Sequence, residues 1–285
     1  MDEQLLCMEN QSLSDESCSK EPRQVLRAPW DPTQFYDERV LLNLLALEQK
    51  RQPRINYFGT VQFDLLPVMR QVLARWMLEV CEEANCEINV FPLAMDYLDR
   101  YLSCVGVKKS DLQVLGCACI FIASKMLDAL PLTSTKICIL TLNSVTRKNL
   151  LDWEVYVVER LKWDLLPVLP NDYLEHILLR LPNFLDDELK LIRKHACTFT
   201  DVCTSGTKLA VTPFKLQFFM RPPSLIMCAS IGVAVRFLDI SKPEVDNNAL
   251  QELLSNIIST DLESLRSCQE QLECILQKHF PKKTC

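Results

Sequence analysis

Asp186 and Asp187 stand side by side in FLDDELK, an arrangement found in all-helical metal-dependent enzymes, where adjacent carboxylates hold a divalent cation. Lys190 occupies the position where a third aspartate would complete such a set. The stretch therefore reads as an acidic first turn that favours a helix N-terminus. His176 and His195 fall in helical patterns with no Ser or Cys nucleophile at a diagnostic spacing, and both read as satisfied, partly exposed side chains. The 5 scattered glycines cannot build a phosphate-cradling loop, and no G-x-x-x-x-G-K occurs. Fourteen cysteines raise a metal or disulfide question, but none form C-x-x-C and only 3 histidines could assist. Reduced, buried thiols of a cytosolic or nuclear protein are expected, with no metal, no cofactor and no active site.

Other spacings suit recognition instead. In LLCME, Leu5, Cys7 and Glu9 alternate, so an extended chain would carry an apolar group, a small thiol and a carboxylate on one face. Met69, Val72, Leu73 and Trp76 form one helical stripe, with Glu79 three residues beyond. Lys125 is the first charge after a long uncharged run, and Glu154 supplies the opposite sign on a later helix. The formal net charge of −6, with Lys and Arg dispersed, argues against gripping phosphate backbones, so no nucleic-acid partner is expected. The acidic start lacks the basic region of a signal peptide, and the uncharged run from about Leu112 to Ser124 is too short to span a bilayer, so no membrane is expected.

The elements that position these groups are helical throughout. Residues 1–28 are polar and unpatterned and read as a flexible tail. Residues 29–56 read as an N-terminal helix capped by Asp31, opened by Pro32, and apolar along Val40, Leu41, Leu44, Leu45 and Leu47. Five helical patterns follow over 57–165, and the third, SDLQVLGCACIFIASKM, lacks a polar face as a central buried helix would. Two prolines in LLPVLPND mark a linker, and five more patterns follow over 166–285. CACIFIASK and CASIGVAVR align at an offset of 111 positions (Cys117 to Cys228), and the same offset pairs Leu151 with Leu262, Glu159 with Glu270 and Leu161 with Leu272. Both halves thus use one packing plan, which predicts two five-helix domains related by duplication.

The stretches WMLEVCEEANCEINVFPLAMDYLDRYLS, IFIASKM, LPLTSTKICILT, LLDWEVYVVERLKW, IRKHACTF and SCQEQLE closely resemble the D-type cyclins, from the tail to about residue 279. The resemblance implies an all-α chain of two tandem five-helix cyclin folds. It also implies a regulatory subunit without catalysis of its own, which binds and activates a cyclin-dependent kinase by repositioning the kinase's regulatory helix and ordering its activation loop. Lys125 and Glu154 match the family's kinase-contacting pair. Met69, Val72, Leu73, Trp76 and Glu79 match its substrate-docking patch; Arg70 lies inside that motif without an assigned role. Leu5, Cys7 and Glu9 match the L-x-C-x-E motif that engages the pocket of retinoblastoma-family proteins. The implied partners are a cyclin-dependent kinase, a retinoblastoma-family protein and kinase-inhibitor proteins, in nucleus and cytoplasm, at the G1/S transition.

This sequence departs from the family pattern in three places. It reaches Cys285 without the acidic run and Thr-Pro site that D-type cyclins usually carry, so export and degradation through that site are not expected. The connection around TSGTKLAVTPFKLQFFMRPPS is longer than usual, and its Phe214, Leu216, Phe218 and Phe219 should pack down or meet a partner. Leu127 stands where relatives tend to carry a charge. Competing classes are a cyclin that binds kinase without activating it, a DNA-binding double cyclin fold opposed by the charge, and an all-helical enzyme opposed by the missing metal ligands.

Overall fold

The computed structural model describes residues 31–50, 55–182, 184–206, 218–238 and 247–279. These form twelve α-helices and, among the described residues, no strand beyond an isolated bridge between Phe58 and Gln62. The first core is built by α3 (Pro67–Ala84), α4 (Val90–Leu102), α5 (Leu112–Leu127), α6 (Ser134–Leu140) and α7 (Arg147–Arg160). The second is built by α8 (Leu174–Leu178), α9 (Asp186–Ser205), α10 (Pro223–Phe237), α11 (Asn247–Ile257) and α12 (Leu262–His279).

Local chemistry sets the helix ends. Pro67 occupies the first turn of α3, and Asn85 ends it in the left-handed conformation (φ 54°), which Asn tolerates better than most residues. Thr133 and Thr146 each cap a helix by accepting from the N–H three residues on. Twelve of the sixteen residues of α5 are buried, as its unbroken apolar sequence predicts. Gly116 lets α3 lie close, because a Cβ there would stand 3.0 Å from Leu73 Cδ1 and 3.3 Å from the Met77 sulfur. Helix α10 begins 111 residues after α5 (Leu112 to Pro223) and buries twelve of its fifteen residues. Its Gly232 faces Gln269 of α12 even more tightly. By length and apolarity alone, Lys109–Leu127 could cross a membrane, a longer stretch than the charge-free run suggested; 61% of it is buried inside the first core.

Three expectations need correction. The N-terminal helix is two, α1 (Pro32–Tyr36) and α2 (Glu38–Lys50), because Asp37 turns extended (ψ 113°) and its carboxylate accepts from the Arg39 N–H at 2.9 Å, restarting the helix. Asp31 does cap α1, accepting from the Thr33 N–H at 3.0 Å. Leu41 is buried and Leu44 and Leu45 pack beside it, but Leu47 faces solvent. His176 is not partly exposed: it is buried, with Nδ1 3.2 Å from the Phe35 carbonyl, and burial pushes its imidazole below the ordinary histidine range.

The second core, rather than the first, receives α2. Leu41 enters it, and both Glu48 oxygens accept from Ser224, one from its N–H at 2.9 Å and one from its hydroxyl at 2.8 Å. Glu48 thereby supplies the N-terminal carboxylate that α10 lacks in its own sequence. Phe218 is buried in the same core, so that end of the long connection packs down; Phe214 and Leu216 lie outside the described residues.

Candidate functional site

Helix α5 is buried from Val114 to Ser124, and Lys125 is where it emerges. An ammonium in the last turn also suits the negative end of the helix dipole. Lys125 Nζ lies 2.8 Å from Glu154 Oε1 on α7 and 3.9 Å from the centroid of the buried Phe121 ring. The lysine side chain is 43% exposed and the glutamate 20%. One N–H of the ammonium serves Glu154 and the ring fixes its direction, so donors remain for an incoming group. Leu151 and Val155 flank Glu154 along the exposed side of α7, and Met126 follows Lys125. Apolar surface with one oriented donor and one oriented acceptor can take the end of a partner helix, whose terminal carbonyls and N–H groups lack partners of their own.

The stripe on α3 divides. Leu73 is buried against Gly116 and supports the helix from beneath. Val72 is 57% exposed, Met69 and Trp76 are half-buried, and Glu79 is exposed with its carboxylate 3.1 Å from Arg75 Nε. Leu66 and Val68, which sequence reasoning did not single out, extend the apolar surface toward the start of the helix. Met69, Val72 and Trp76 therefore present apolar groups that a short peptide carrying a Leu could cover.

These helices can now be set beside known proteins. Residues 39–166 match the family model described as "Cyclin, N-terminal domain". G1/S-specific cyclin-D2 of Gallus gallus is 45% identical over 261 residues, covering 91% of this chain and 86% of that protein. Human G1/S-specific cyclin-D3 is 46% identical over 261 residues, covering 92% and 85%. The chain belongs to the D-type cyclins. As a cyclin it is of the regulatory class that serves cyclin-dependent kinases. Among solved structures, a viral cyclin from herpesvirus saimiri superimposes with a TM-score of 0.68 at 25% identity, covering 82% of this chain and 97% of that one.

In this D-type cyclin the residue left without a role in the sequence, Arg70, turns out to be internal. It faces away from Val72, and it and Asp99 of α4 are 3% and 2% exposed. Arg70 Nε and Nη2 each donate to one Asp99 oxygen at 2.7 Å, and Tyr57 Oη donates to Asp99 at 2.8 Å. Nη2 also donates to the Thr204 carbonyl of α9 at 3.2 Å, so this ion pair crosses from the first core to the second. Burial opposes the guanidinium charge, but the Asp99 carboxylate outweighs it and holds Arg70 protonated. Nothing in the motif MRQVLARW distinguishes Arg70 from a solvated charge; the signal available was its place in an apolar stripe, with Tyr57 and Asp99 far away in sequence.

The other candidates of the sequence stand as follows. Asp187 is exposed and pairs with Lys190 at 2.9 Å, while Glu188 accepts from the Leu185 N–H at 2.8 Å, so the acidic cluster closes the first turn of α9. The His195 ring packs in tilted contacts against Phe199 and Phe237, at 5.8 and 5.7 Å between ring centroids. Among the described residues no group of three His, Cys, Asp or Glu side chains could hold a metal ion. Leu5, Cys7 and Glu9 lie outside the described residues.

Proposed function

We propose that this D-type cyclin is the non-catalytic subunit that binds and activates a cyclin-dependent kinase, directs it to retinoblastoma-family proteins and thereby promotes the G1/S transition. The observation that carries the reading is the Lys125–Glu154 pair, already oriented at 2.8 Å within an apolar rim before any partner arrives. A pair held in its binding geometry loses little side-chain freedom on docking. Contact with one conformation of the kinase's regulatory helix, and not the other, shifts the kinase toward that conformation. The apolar side chains Met69, Val72 and Trp76 would dock substrates, with Leu73 supporting them and Glu79 at their edge. The tail would bring Leu5 and Cys7 into apolar pockets and Glu9 to backbone donors of a retinoblastoma-family protein. Kinase-inhibitor proteins as further partners, and action in nucleus and cytoplasm, are proposed on the family resemblance.

The test is reconstitution with a panel of cyclin-dependent kinase subunits, primed by an activating kinase, following phosphorylation of a retinoblastoma fragment. Activity should vanish in Lys125→Ala/Glu154→Ala while the helical circular dichroism is kept, because an exposed pair contributes only about 0–1 kcal/mol to stability. Normal kinase binding by that variant would sink the interface assignment. Tight binding without turnover by the unaltered chain would replace activation with a scaffold role.

A further inference from the structure

Helix α3 ends in a turn of Schellman type. Asn85 is left-handed (φ 54°, ψ 46°), its N–H donates to the Glu82 carbonyl at 3.1 Å, and the Cys86 N–H donates to the Cys81 carbonyl at 3.0 Å. This geometry presses together the side chains five residues apart, ordinarily two apolar groups. Here both are thiols, and each shifts the acidity of the other. Cys81 is 6% exposed, whereas Cys86 is only half-buried and can be reached from solvent. The Lys136 ammonium stands at the same turn, donating to the Ala84 carbonyl at 3.2 Å. Asp128 opposes it: its carboxylate accepts from the Glu87 N–H at 2.8 Å and the Ser124 hydroxyl at 2.7 Å, and its charge and a hydrogen bond also act to raise the Cys86 thiol.

We propose that Cys81 and Cys86 form an oxidisable dithiol that peroxide closes into an intramolecular disulfide at the C-terminal cap of α3. The neighbouring Cys81 thiol and Lys136 outweigh burial and Asp128 and hold Cys86 below the ordinary thiol range, while Cys86 and burial push Cys81 up, so Cys86 is the attacking sulfur. The thiolate attacks one oxygen of hydrogen peroxide; the S–O bond forms, the O–O bond breaks, and the released hydroxide takes up a proton as water. The Cys81 sulfur then attacks the sulfenic sulfur of Cys86, forming the S–S bond, and the expelled hydroxide leaves as water with the Cys81 proton. Two thiols and one peroxide become a disulfide and two waters, with two electrons passing from sulfur to oxygen. A cap whose backbone bond from Cys86 N–H to the Cys81 carbonyl already brings the two residues side by side needs little backbone movement to close. The bond would fasten the end of α3, one turn beyond Glu79, beside the connection that leaves α5 after Lys125.

The test uses the purified full chain, treated with hydrogen peroxide, blocked with N-ethylmaleimide and digested with trypsin without reductant. The peptide 76–100 carries Cys81 and Cys86 and no other cysteine. It should appear unlabelled and lighter by two hydrogens, while exposed Cys104 and Cys274 remain labelled. In Cys81→Ser, a dimedone probe should capture sulfenic acid at Cys86; in Cys86→Ser, Cys81 should stay a free thiol. Circular dichroism confirms that both variants are folded, and Cys81→Ala replaces Cys81→Ser if the buried hydroxyl unfolds it. A doubly labelled 76–100 peptide under conditions that oxidise Cys104, or a bridge from Cys86 to some other cysteine, would overturn the proposal.

Discussion

Replacing Arg70 by Met leaves the Asp99 carboxylate 2% exposed with the Tyr57 hydroxyl still donating to it but without its guanidinium partner. Breaking a buried ion pair from one side costs about 3–5 kcal/mol, against about 0–1 kcal/mol for an exposed pair. At about 2–4 °C per kcal/mol for a chain of this size, Arg70→Met should lower Tm by roughly 6–20 °C. Arg70→Met/Asp99→Leu replaces both charges with apolar groups and should recover most of the loss, since buried pairs are often near neutral against well-packed apolar substitutes. Thermal and urea unfolding of wild type, both single variants and the double variant give the coupling energy directly. A loss below about 1 kcal/mol in Arg70→Met would place the pair among ordinary surface ion pairs. Additive losses in the double variant would equally refute the reasoning, because the two groups would then not be stabilising one another.

Trp76→Ala should raise KM for substrates that carry a docking peptide more than for short peptides, and an unchanged ratio would make Trp76 a core residue only. Burial, aided by the Glu82 carboxylate, pushes Asp201 up from 3.8 to about 7, and its Oδ1 finds no hydrogen-bond partner among the described residues. Between about pH 4 and about pH 7 the folded chain holds this proton and the unfolded chain does not, so stability falls as pH rises through that window. Asp201→Asn should therefore stabilise the chain at pH 8 by on the order of 1 kcal/mol, with a higher Tm, and change it little at pH 4; an equal effect at both would be against it. Gly232→Ala would drive a Cβ into Gln269, which is buried and hydrogen-bonded to Gln251 at 2.8 Å. It should cost about 1–3 kcal/mol in denaturant unfolding, and a neutral result would mean that α12 shifts aside freely.

Residue periodicity and end signals determined most of the helices. The unbroken apolar runs of α5 and α10, recurring 111 residues apart, announced two cores built around similar buried helices, because a helix without a polar face has to be covered on all sides. Lys125 was legible as the first charge after the α5 run, and Glu154 as an opposite charge on a later helix. What the sequence left open is which helices meet when they are distant along the chain. Helix α4 carries Asp96, Asp99 and Arg100 and reads as amphipathic, yet twelve of its thirteen residues are buried. It lies between α5 and α9, and its carboxylates are accommodated by Arg70, Tyr57 and Arg100, side chains brought in by other elements or the next turn. Leu73 and Val72 are neighbours in one stripe, but only the fold sends the first into the core and the second to solvent. Helix α2 precedes the first core and packs in the second, where Glu48 caps α10 across 176 residues. Local propensity fixes an element's ends and its apolar face, whereas burial and pairing depend on partners that no spacing along the chain encodes, and those only the tertiary structure decided.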